Sequence, residues 1–148
     1  MTRINSAINV RRLTDEHLLA EHREIKRMPY CIGKAIASGS VKRIPEKFTM
    51  GRGHVLFFLD KMLFVENRYR QLYQECNRRN FNVGLYIDNF SPLPRACRCD
   101  YTPTDEEQKL LIERITECIM QPKKKAWHYH GEAITKEQAV ELLTDNSK

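Results

Sequence analysis

An all-α fold is predicted: one compact domain of three main helices with loops and a short C-terminal helix. Three observations predict it. Apolar residues recur at three- and four-residue spacing through the long segments, capping signals stand at segment starts, and no two segments alternate like paired strands. The length of 148 residues suits a single core.

Residues 13–36 read as mainly helical, with Thr14 or Asp15 as N-cap and Leu18, Leu19, Ile25 and Met28 as apolar positions. Pro29 predicts two helices or a kink near that point. Residues 38–53 combine Gly39, Pro45, Gly51 and Gly53 with Lys42, Arg43 and Lys47, the composition of a basic loop. Residues 54–80 predict the central core helix, with Val55, Phe58, Leu59, Met62, Val65, Tyr69, Leu72 and Cys76 as its stripe. Arg68, Arg70, Arg78 and Arg79 are expected on its solvated face, and His54 is expected to cap or pack its start.

Residues 82–103 hold Pro92, Pro94 and Pro103 and are expected to be largely irregular. A third helix is predicted from the capping box Thr104-Asp105-Glu106-Glu107 to about residue 120, with Leu111, Ile115 and Cys118 inward and Pro122 ending it. Beyond Lys123-Lys124-Lys125 and Trp127-His128-Tyr129-His130-Gly131, Thr135 and Gln138 predict a second capping box and a last short helix. Residues 1–134 are taken as the domain and 135–148 as a C-terminal extension.

The 25 Lys and Arg against 19 Asp and Glu leave a net charge of +6, which favours a polyanionic partner. No apolar run approaches the ~20 residues that span a bilayer, and the N-terminal residues lack the apolar stretch of a signal peptide. No membrane association and a cytoplasmic location are therefore expected. Cys31, Cys76, Cys97, Cys99 and Cys118 are scattered, without the spacing of a zinc site. They are read as reduced thiols, with no metal.

The chemistry concentrates in the first 27 residues. Trimming of Met1 would give Thr2 a free α-amine beside Arg3. Such an amine has a pKa of roughly 7.7–8.0, so part of it is nucleophilic near neutral pH without the large shift a lysine needs. Glu24 follows on a helix between Arg23 and Arg27, and His17, about two turns earlier, is expected to point the same way. Neighbouring cations would keep Glu24 ionised and able to stabilise positive charge on a sugar. An amine nucleophile with a carboxylate in cationic surroundings suits imine chemistry on a nucleic-acid sugar.

Thr2-Arg3-Ile4-Asn5 and the run from His17 to Glu24 resemble the start of the phage UV endonuclease V family, the pyrimidine-dimer DNA glycosylase/AP lyases. Gly53-His54-Val55 with Phe57-Phe58 and Asp60-Lys61, then Glu75-Cys76, Phe81-Asn82 and Asp100-Tyr101 with Pro103, continue the resemblance nearly collinearly to about residue 134. It implies a small helical enzyme without metal or cofactor, monomeric, acting on double-stranded damaged DNA. By the same resemblance the Thr2 amine attacks the anomeric carbon and expels the base, and Glu24 assists that step and the β-elimination that nicks the strand. It further implies DNA contacts from Arg3, His17, Arg23, Arg27 and Arg114, and from the segment holding Lys123, Lys124, Lys125, Trp127 and Tyr129. Cys118, His128 and Glu132 stand where the family carries lysines. These departures keep two alternatives open: the same imine chemistry on another damaged or modified base, or a non-catalytic DNA-binding relative.

Overall fold

A computed structural model of the chain describes residues 4–38, 44–50, 53–90, 93–122 and 126–144, with the side chains at 33, 36 and 38 excepted. Thr2, Arg3 and Lys123 to Lys125 lie outside the described residues, as do positions 39–43, 51 and 52 of the expected basic loop. The described residues form six α-helices: α1 (Asp15–Ile25), α2 (Met28–Ser38), α3 (His54–Phe58), α4 (Met62–Arg78), α5 (Asp105–Ile119) and α6 (Lys136–Thr144). Between α5 and α6 runs an antiparallel hairpin of β1 (Trp127–Tyr129) and β2 (Glu132–Ile134), pairing Trp127 with Ile134 and Tyr129 with Glu132. None of these helices is long and apolar enough to cross a membrane.

Thr14 caps α1 by accepting the His17 amide at 3.2 Å. Pro29 stands in the first turn of α2, where its missing N–H would have had no helical partner. The 13–36 segment is therefore two helices joined at Lys26 and Arg27. The expected single helix over 54–80 is also two. The backbone at Lys61 leaves the helical region (φ −118°) because the chain at Arg98 and Cys99 crosses there, with Cys99 N–H donating to the Asp60 carbonyl at 3.2 Å. Lys61 Nζ then closes the end of α3 by donating to the Phe57 carbonyl at 2.9 Å.

The C-terminus of α4 ends in a Schellman turn: Phe81 N–H reaches the Cys76 carbonyl at 2.8 Å and Asn80 N–H reaches Asn77 at 3.0 Å. Asn80 supplies the left-handed residue (φ 65°). Residues 82–103 hold only two short 3-10 turns in their described parts, Ile87–Phe90 and Arg95–Cys97, pinned by buried Phe90 and Cys97. Thr104 caps α5, but Glu107 does not complete the box. Its buried carboxylate instead accepts hydrogen bonds from the Ser6 and Tyr101 hydroxyls, tying α5 to the N-terminal segment. The Thr135–Gln138 box is reciprocal, at 3.1 and 2.9 Å, and α6 buries Ala139 and Leu143 in the common core.

Two expectations for the helix faces are corrected. Arg70 and Arg78 are exposed, but Arg68 and Arg79 lie in the interior. Arg79 donates to Asp15 at 2.9 Å, Glu75 at 2.8 Å and the carbonyls of Leu13, Val10 and Arg11 at 2.9 to 3.3 Å. Arg68 grips Glu21 through Nε at 2.7 Å and Nη2 at 3.0 Å, and also donates to the Ile8 carbonyl. Arg68 sits on the buried stripe of α4 and Arg79 at its C-cap, and burial is tolerated because each guanidinium satisfies carboxylates and carbonyls that would otherwise be stranded. Cys118, expected inward, is exposed, one position ahead of buried Ile119.

Arg79→Met should destabilise the protein by about 3–5 kcal/mol, since Asp15 and Glu75 would remain buried without their cation. Arg70→Ala, at an exposed ion pair with Glu66, should stay within about 0.5 kcal/mol. Urea unfolding of the two variants checks this; equal midpoints would contradict it. A pH dependence follows from His22, which is 4% exposed and stacked on Tyr69 at 5.3 Å. Burial, with Lys26 nearby, lowers its pKa, while Gly84 opposes the shift weakly. The unfolded chain therefore takes up a proton below about pH 6.5 that the folded chain refuses, and stability falls as pH drops through that value. His22→Phe should flatten that slope; an unchanged slope would exclude His22 as its source.

Candidate active site

Positions 17, 20, 21 and 24 share one face of α1, and residues of α5 stand across a cavity from it. His17, Ala20, Glu21 and Glu24 line a cavity of about 320 Å3, together with Arg23, with Arg114, Ile115 and Cys118 of α5, and with Asn5 of the N-terminal segment. Four residues singled out in the sequence, His17, Arg23, Glu24 and Arg114, thus meet at one opening. A larger cavity of about 550 Å3, lined by Arg11, Gln71, Gln74, Arg78 and Gln108 among others, shares no residue with it. Chemistry rather than size selects the smaller one.

Glu24 is partly buried at the rim, with Arg27 Nη1 3.1 Å and Arg23 Nε 3.7 Å from its carboxylate oxygens. Both arginines are more than 60% exposed, so these pairs add little stability and leave the cations at the surface. Glu21, deeper in the wall, is held by Arg68 and by Asn5 Nδ2 at 3.0 Å. The bond to Glu21 fixes the Asn5 amide with its nitrogen toward the carboxylate. Its Oδ1 is then a buried acceptor without a partner among the described residues.

His17 is fixed from two sides. Its Nδ1 lies 2.9 Å from Thr14 Oγ1, and its ring stacks on Trp127 with centroids 4.9 Å apart and planes 6° from parallel. The Thr14 oxygen already accepts the His17 amide, so its O–H is available to donate to Nδ1; a neutral imidazole would then carry its proton on Nε2. Trp127 is 4% exposed and its indole N–H donates to the Ile119 carbonyl at 3.2 Å. Tyr129 donates its hydroxyl to the Arg11 carbonyl at 2.6 Å, and its ring lies 4.6 Å from the Arg79 guanidinium.

The hairpin that presents these aromatics is clamped to the first turn of α1. Asp15 accepts the amides of His130 and Gly131 at 3.0 and 2.8 Å, and Glu16 accepts the His128 amide at 3.0 Å and contacts its ring Nδ1 at 2.6 Å. Although burial opposes it, hydrogen bonding to His128 leaves the Glu16 pKa below its ordinary value. The clamp holds a turn whose two central residues, His130 (φ 52°) and Gly131 (φ 82°), both have positive φ.

The approach to the site from the N-terminus is fixed by His54. Ile4 N–H donates to His54 Nε2 at 2.8 Å, and Nδ1 lies 3.0 Å from the Thr49 carbonyl. A carbonyl can only accept, so Nδ1 carries the proton and the ring is neutral. His54 thus seats the chain two residues after Thr2. Sequence reasoning passed over Asn5 and Glu21. Glu21 was detectable by its place on the His17–Glu24 face; Asn5 has no such periodic signal. Among the described residues no group of three or more His, Cys, Asp or Glu side chains could hold a metal ion.

The family model described as pyrimidine dimer DNA glycosylase matches residues 1–86. That span is more than half of the 148 residues and includes Thr2, His17, Glu24, His54, Arg68 and Arg79. A buried scaffold that fixes the N-terminal segment beside a carboxylate with an arginine rim lies within the match, and the chain belongs to the pyrimidine dimer DNA glycosylase family of DNA-repair enzymes.

Proposed function

We propose that the protein is a DNA glycosylase with AP-lyase activity that acts at UV-induced pyrimidine dimers through the α-amine of Thr2. The observation that carries the reading is the convergence of Glu24, His17 and Arg114 on one cavity, with Asn5 in its wall three residues after Thr2. In this mechanism the unprotonated amine bonds to C1′ of the damaged nucleotide as the C1′–base bond breaks and the base leaves with the bonding pair. Loss of the amine proton and opening of the C1′–O4′ bond, with a proton delivered to O4′, give the imine. Removal of a C2′ proton then expels the 3′ phosphate and nicks the strand. Glu24 stabilises the positive charge that develops on the sugar and carries the protons. His17, held between Thr14 and Trp127, meets the DNA backbone at the cavity edge.

Arg3, Arg23, Arg27 and Arg114 bind phosphates in this reading, joined by Lys123, Lys124 and Lys125. Trp127 acts from beneath the surface by fixing the His17 ring, and Tyr129 by fixing the hairpin. Residues 1–134 then form the catalytic domain and 135–148 its extension, working as a monomer. A second reading keeps the imine and changes the base. It is favoured by the hairpin, where Trp127, His128 and Tyr129 are already engaged by Ile119, Glu16 and Arg11.

Glu24→Gln should lower single-turnover cleavage of irradiated duplex by about 100-fold or more while leaving the Kd within about threefold. Cleavage at the wild-type rate would remove Glu24 from the mechanism. Arg114→Ala should weaken binding and reduce the slope of log K against log salt by about 1, as for one lost phosphate contact. A slope equal to that of the wild type would place Arg114 outside the DNA footprint.

A further inference from the structure

Three of the five large apolar side chains most exposed among the described residues gather beyond the C-terminal end of α1. Tyr30 of α2 is 76% exposed, Leu85 54% and Tyr86 43%. The 3-10 turn Ile87–Phe90 that follows Tyr86 packs against α2, which carries Tyr30, and Asn89 Nδ2 donates to the Lys26 carbonyl at 3.4 Å, so the segment of Leu85 and Tyr86 adjoins the start of α2. Exposed rings of this size are ordinarily sheltered, and a cluster of them marks an interaction surface.

The cations around them narrow the partner. Lys26 Nζ stands 4.0 Å from the centroid of Tyr86, and Lys34 Nζ, one turn after Tyr30, stands 5.7 Å from the Tyr30 centroid. Arg27 follows Lys26 in the chain and pairs with Glu24 at the cavity rim. The single acidic neighbour in the adjoining turn is Asp88. Aromatic rings interleaved with lysines match a strand that offers both base faces and phosphates. In a paired duplex the base faces are stacked on each other and closed to a tyrosine; only unpaired nucleotides can present them.

We infer that the surface of Tyr30, Tyr86, Lys26 and Lys34 binds unpaired nucleotides of a DNA strand that leaves the candidate active site across Arg27. Bases stack on the tyrosines and phosphates lie against the lysines. The inference rests on the glycosylase reading for its source of unpaired strand, since a lesion is where a duplex is opened.

The test measures anisotropy of a labelled, short single-stranded oligothymidylate, with borohydride trapping on an abasic duplex run in parallel. Tyr30→Ala/Tyr86→Ala should weaken single-strand binding by about fivefold or more, and Tyr30→Phe/Tyr86→Phe should restore it, because stacking needs the ring and not the hydroxyl. The trapped adduct should persist in both variants. Single-strand affinity within about twofold of wild type in the alanine variant would overturn the inference. So would a wild-type dimer that the alanine substitutions dissociate, which would make the surface a contact between copies of the chain. Absence of trapping in every protein, with tyrosine-dependent binding intact, would overturn the enzymatic reading and leave the binding surface standing.

Discussion

The site depends on two guanidinium groups buried inside the protein. Arg79 gathers the carbonyls of Val10, Arg11 and Leu13 with Asp15 and Glu75, and Arg68 gathers Ile8 with Glu21. Between them they fasten residues 8–15 along α4 and so set where α1 begins and how it is rotated. A hydrophobic stripe alone would tolerate sliding of one helix along another; hydrogen bonds to fixed carbonyls do not. Removing either cation would strand at least one buried carboxylate, which makes the arrangement close to all-or-none.

The rotation of α1 then determines the chemistry. One face carries Leu18 and Ile25 into the core, another carries His17, Glu21 and Glu24 to the cavity, and Asp15 and Glu16 reach the hairpin. Glu21 and Glu24 lie three residues apart yet are placed for different work. Glu21 is sealed in and neutralised by Arg68, whereas Glu24 is left at the rim between two surface arginines. His54 completes the frame from the other side by holding the Ile4 amide, which limits the reach of the chain end in the proposed amine mechanism.

Much of this was legible in the sequence. Helical spacing gave α1, α4 and α5, and the residue types at Thr14, Thr104 and Thr135 gave the starts of three helices. The seven-residue interval from His17 to Glu24 gave a shared face because two helical turns take about seven residues. Arg68 and Arg79 were misread because charge was given more weight than position: Arg68 lies on the stripe of Leu72, and Arg79, at the C-cap, follows Cys76 by three residues, spacing that was itself the signal of burial. The hairpin escaped detection because each strand has three residues and its turn is stabilised by Asp15, more than a hundred positions away. The break at Lys61 has the same character, since a crossing chain segment sets it, whereas the break before α2 was announced by Pro29.

The most direct measurement is borohydride reduction of the native-N-terminus protein with a thymine-dimer duplex and with an abasic duplex, followed by peptide mass spectrometry of the adducts. If the Thr2 amine is the nucleophile, an adduct forms with both duplexes and is carried on the α-nitrogen of Thr2. An adduct on a lysine side chain, or none with either duplex, would contradict it.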